Sequence, residues 1–83
     1  MARGDFEFTI NKHIANIGEP SSTGWQTELN IITWGDKPKS YDIRAWSPDH
    51  SKCGKGKTFT ESELIALKEV LENLDITAEI SAD

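Results

Sequence analysis

The stretch SYDIRAWSPDHSKCGKGKTFTESELIALKEVL, residues 40–71, decides the fold. Its opening alternates: Tyr41, Ile43 and Ala45 take one face, while Asp42, Arg44 and Trp46 take the other. A period of two marks a strand with one buried side. The later part has a helical period. Leu64, Leu67 and Leu71, with Leu74 just beyond, recur on one face, and Ile65 and Val70 widen the stripe. Thr60 and Glu63 stand at capping-box spacing, and Glu61 suits the positive start of a helix. Between strand and helix, residues 47–56 read as a loop with two glycines and Lys57 to Phe59 as a short strand.

Working outward, Phe6, Phe8 and Ile10 alternate with Glu7, Thr9 and Asn11, which predicts another half-buried strand. GEPSSTG, residues 18–24, is rich in turn residues, and WQTELNIITW, residues 25–34, is rich in aromatic and β-branched ones. GDKPK, residues 35–39, is a turn in which Pro38 supplies a fixed φ and no amide donor. The last residues, DITAEISAD, have mixed signals that either continue the helix or fray. No repeat or linker divides the chain, so residues 1–83 form one domain. The expected class is α+β: a four-stranded antiparallel sheet followed by one C-terminal helix. One helix covers only part of such a sheet, and the leftover apolar surface favours a homodimer.

Size and cysteine usage point the same way. An 83-residue chain has a small core, and such domains are often completed by a disulfide, a metal or a partner. Cys53 is the only cysteine, which excludes a disulfide framework, and Cys53, His50 and His13 do not form two close zinc-ligand pairs. No metal or cofactor is expected. No apolar run is long enough to cross a bilayer, and MARGDFEFTI lacks a secretory apolar segment. The expected setting is cytoplasmic, with a reduced thiol and no membrane.

The net charge of −5 is unevenly spread. Residues 34–59 set Lys37, Lys39, Arg44, Lys52, Lys55 and Lys57 against Asp36, Asp42 and Asp49. Residues 60–83 set Lys68 alone against seven carboxylates: Glu61, Glu63, Glu69, Glu72, Asp75, Glu79 and Asp83. Local charge decides where an anion sits, so the middle of the chain is the candidate.

The alternation puts Trp46 beside Arg44, and Trp34 with Asn30 and Ile32, on the face opposite Leu29, Ile31, Tyr41 and Ile43. Trp34 and Trp46 are therefore expected on an open sheet face away from the helix, and Trp25, which shares parity with Leu29, in the core. Unpaired bases stack on such rings at about 1–3 kcal/mol per base, while lysines meet the phosphates. Tryptophans in so small a chain also commonly serve a core or dimer interface, and charge runs commonly form solvated loops. Gly56-Lys57-Thr58 resembles the end of a P-loop, but Ser51 stands where that motif needs glycine, and Phe59 and Thr60 intervene before the helix. Cys53 and His50 lack an orienting third group, so they do not make a nucleophile pair. No enzyme signature survives, and no catalytic residue is assigned.

Residues 40–71 resemble the single-stranded-DNA-binding domain of the transcriptional positive cofactor 4 family, and GWQTELNIITWGDKPK, residues 24–39, resembles its bacterial YdbC-like branch. The resemblance runs from about Phe6 to Leu74, and its most specific parts are DIRAW, DHSKCGKGKTFT and the leucine-bearing helix. It implies two chains paired through their helices, with single-stranded DNA held along the sheets with little sequence preference. The family's stacking aromatics fall on Trp34 and Trp46, the basic residue of the third strand on Arg44, and further cations near Lys12, Lys37, Lys52, Lys55 and Lys57. Lys39 shares the turn. The segment from Arg44 to Trp46 is one residue shorter than in eukaryotic members. Their serine- and lysine-rich N-terminal region has no counterpart here, so phosphorylation control is not expected.

Two functions follow as expectations. The first is binding of single-stranded DNA or RNA in transcription, replication or repair, with nucleoid association: a stacking platform accepts either polymer. The second is a protein-interaction module that uses the acidic helix and exposed tryptophans.

Overall fold

The computed structural model describes residues 7–82. Four strands run in sequence order as β1 (Phe8–Ile17), β2 (Gln26–Trp34), β3 (Ser40–Trp46) and β4 (Cys53–Phe59), followed by helices α1 (Glu61–Glu72) and α2 (Ile76–Ser81). The sheet order is β1-β2-β3-β4, and every neighbouring pair is antiparallel. The α+β class and the antiparallel sheet are as expected, and β3 has the expected bounds.

Three elements differ from the expectation. β1 extends to Ile17, beyond the alternation that marked its start, and Phe6 lies outside the described residues. Register shifts between Ile10 and Lys12 and between His13 and Ala15 break its parity, so the period of two disappears from the sequence. β4 starts at Cys53 rather than Lys57, although CGKG is a poor strand sequence by propensity. Gly56 opposes Arg44, and a Cβ there would collide with Arg44 Cβ and the Ile43 carbonyl oxygen, so β4 approaches β3 through a glycine. Finally, there are two helices rather than one. The Asn73 side-chain amide donates to Glu69 O at 2.9 Å and closes α1, and the Asp75 carboxylate accepts from Ala78 N at 3.1 Å and opens α2. The capping box of α1 is as expected. Thr60 Oγ1 accepts from Glu63 N at 3.1 Å, and Glu63 Oε1 accepts from Thr60 N at 2.9 Å.

Parity along β2 and β3 is as expected, but burial is inverted. Asn30, Ile32 and Asp42 are fully buried and Trp46 nearly so, whereas Leu29, Ile31, Tyr41 and Ile43 are only half-buried. No described helix covers the buried face; the sheet curls over it. Phe8 pairs with Trp34 at one end of β2, and Trp46 pairs with Gln26 at the other. Eight residues of flat strand span about 27 Å. Yet the Phe8 and Trp46 ring centroids are 5.1 Å apart. The two shifts in β1, and a third between Arg44 and Trp46, supply the coiling.

The convex face is far less complete. α1 packs mainly on β3 and β4, and only Leu64 and Leu67 of its stripe are half-buried. Ile65, Val70, Leu71, Leu74, Ile76 and Ile80 are exposed. The radius of gyration is 14.9 Å. A compact chain of this length is expected near 12 Å, roughly. No described helix is long and apolar enough to cross a membrane.

Candidate nucleic-acid interface

The concave face is built from two polar clusters under an aromatic rim. In the first, Asp42 is fully buried and grips Arg44. Arg44 Nε donates to Oδ1 and Nη2 to Oδ2, both at 2.8 Å. Thr58 Oγ1 adds a bond to Oδ2 at 3.1 Å, and Arg44 Nη1 reaches Gly54 O at 3.3 Å. The hydrogen bonds that Asp42 accepts push the guanidinium pKa further above its ordinary value, so Arg44 stays charged. Three N–H donors of Arg44 are thus spent inside the protein. Its Cζ lies 4.7 Å from the Trp34 ring centroid, so the guanidinium also backs that indole.

The second cluster surrounds Glu28. Asn30 Nδ2 donates to Oε1 at 3.0 Å, His50 Nε2 lies 2.9 Å from Oε2, and His13 Nδ1 lies 3.4 Å from Oε1 and 2.8 Å from Asn30 Oδ1. His13 pairs with Asn30 across the sheet and shares its side. His50 has φ +60, a left-handed conformation that turns the loop back under the sheet. Its ring stacks on Trp46 with centroids 5.5 Å apart and planes inclined by 27°.

The rim is Phe8, Trp34 and Trp46. Phe8 lies 5.7 Å from Trp34 and 5.1 Å from Trp46, tilted against both. Trp34 is half-buried, but Trp46 is only 1 % exposed, which corrects the expectation of an open ring there. The tryptophans do share the face away from the helix. What covers Trp46 is Phe8 and His50, not the helix. Its Nε1 is buried and has no hydrogen-bond partner among the described residues. Trp25 is half-buried.

The lysines divide between the faces. All six of Lys12, Lys37, Lys39, Lys52, Lys55 and Lys57 are exposed, and among the described residues none of them has a carboxylate partner within ion-pair distance. Lys37 sits in the turn below Trp34, where its N–H donates to Trp34 O at 2.9 Å. Lys52 and Lys55 lie at the Trp46 end, because Cys53 pairs with Trp46. Lys12 pairs with Ile31 and Lys57 with Ile43, which puts both on the convex side, and Lys39 lines a cleft there with Ile31, Tyr41 and Glu61. The loop from Ser47 to Lys52 is tied down. Asp49 Oδ1 accepts from Ser47 Oγ, Ser51 Oγ and Ser51 N, at 3.0, 2.7 and 3.0 Å. Bonds from the Ser51 hydroxyl and amide, then from Ser47, lower the Asp49 pKa to about 2.

No family model matches the sequence. An uncharacterized protein of Treponema pallidum (strain Nichols) is 42% identical over 76 residues, spanning 92% of this chain and 88% of the relative. The chain belongs to that protein's family. Sequence reading missed Phe8, His50, Glu28 and Asp42 as parts of the site. Asp42 and Arg44 were the findable pair, since opposite charges two apart on a strand share a face. The contacts of Phe8 and His50 depend on curl and on a left-handed loop residue, and neither leaves a local pattern.

Proposed function

We propose that the chain is a single-stranded nucleic-acid-binding domain of the positive cofactor 4 type, acting as a homodimer and not as an enzyme. The observation that carries this reading is the arrangement at Trp34. A half-buried indole, backed by Arg44 and joined to Trp46 through Phe8, lies between Lys37 at one end of a concave face and Lys52 and Lys55 at the other. Bases stack on the rings and the lysines meet phosphates. Lys12, Lys39 and Lys57 would extend the track around the sheet edges. The exposed helical stripe and the large radius of gyration favour a second copy against the convex side. Two faces per dimer would let one strand gain by effective concentration. The role proposed is to keep melted strands apart in transcription, replication or repair, in the cytoplasm near the nucleoid.

The alternative, a protein-interaction module, rests on the acidic α1 and α2 with exposed Ile76 and Ile80. Titration with oligo-dT separates the two. The expected result is tryptophan quenching and an affinity that falls with salt at a slope of about −0.7 per phosphate contact. Lys37→Ala should flatten that slope by about one contact. Absence of quenching at low salt would instead favour the interaction module.

A further inference from the structure

The Phe8 side chain lies against Trp34 and Trp46, 5.7 Å from one ring and 5.1 Å from the other. A planar aromatic held against both indoles occupies the position that a nucleobase would need. The rings meet at tilts of 51° and 48°, an ordinary geometry for an aromatic pair, yet one feature leaves the site unsatisfied. Trp46 Nε1 is buried with no acceptor among the described residues, and phenylalanine has none to offer. An orphaned buried donor is costly, and native structures usually supply it with a partner. A nucleobase carbonyl or a phosphate oxygen would supply one.

We propose that Phe8 is an internal stand-in for a base, which the nucleic acid displaces, and that Trp46 Nε1–H is a donor to the incoming strand. This deepens the nucleic-acid reading and rests on it. Phe8 is the first residue of edge strand β1, so its ring can swing out without breaking the rest of the sheet. The Glu7 carbonyl is held by Gly35 N at 2.8 Å, which keeps the backbone docked while the ring moves. Trp34 is accessible beforehand, whereas Trp46 becomes accessible only on displacement, so the site fills in two stages.

The test is an oligo-dT titration of the full chain and of Phe8→Ala and Phe8→Leu, read by tryptophan fluorescence, with circular dichroism to check folding. Removing an aromatic competitor should tighten binding about fivefold in Phe8→Ala and by a smaller factor in Phe8→Leu, with the salt slope unchanged. If Phe8→Ala is unfolded, Phe8→Leu decides, and an unchanged affinity there overturns the proposal. Weaker binding in either folded variant would make Phe8 part of the platform and also overturn it. Binding by the native chain without any gain in the variants sinks the stand-in alone. No binding by any of the three sinks the nucleic-acid reading with it.

Discussion

The two faces of the sheet differ in how they are finished. The concave face is polar in sequence yet closed: Glu28, Asn30 and Asp42 are buried and each is hydrogen-bonded. The convex face and α1 are apolar in sequence yet open, with Ile65 and Leu71 about half exposed. A curled sheet can satisfy its inner side with its own side chains, whereas its outer side needs another layer. The contrast teaches that hydrophobic parity names the two faces correctly without saying which one the monomer buries.

Breaking the concave side should have the largest effect. Asp42→Ala leaves the Arg44 guanidinium without its carboxylate, and loss of one partner of a buried pair costs about 3 kcal/mol at the lower end of the usual range. Urea unfolding should show that drop, and a change under about 1 kcal/mol would mean the pair does not organise the face. The convex side should respond differently. Ile65→Glu is expected to weaken self-association by roughly tenfold or more while leaving circular dichroism intact. Sedimentation velocity measures this; an unchanged sedimentation profile would deny that the helical stripe is the second layer.

Smaller effects separate rim from floor. Trp34→Ala should weaken oligo-dT binding about tenfold, the worth of one stacked base, without altering the salt slope. The smallest effect concerns the Ser47–Lys52 loop. The Asp49 pKa is lowered from 3.8 to about 2, so the folded state favours the ionised form. Its contribution is present above the ordinary value and is lost as pH falls toward 2. Asp49→Ala should slightly lower the urea midpoint at pH 7, and that difference should shrink between pH 4 and 2. A difference constant with pH would remove the carboxylate from the account.

The parts of the fold carried by local pattern were legible. β3 shows its alternation, and α1 shows Thr60, Glu63 and the leucine repeat. The length of β1 was hidden because its register shifts scramble the period, and β4 because Gly56 serves a close strand approach rather than a loop. At the candidate site, Trp34 beside Lys37 was legible as neighbours in sequence. The coverage of Trp46 was not, because Phe8 reaches it only through the coiling of the whole sheet.

The central claim is that a ligand strand engages the concave rim and not the helical layer. The three indole N–H resonances, followed by heteronuclear NMR during addition of oligo-dT, test it most directly. The account predicts that the Trp34 and Trp46 signals move while Trp25 and the amides of α1 stay. Movement confined to Trp25 and α1, or no movement at all, would contradict it.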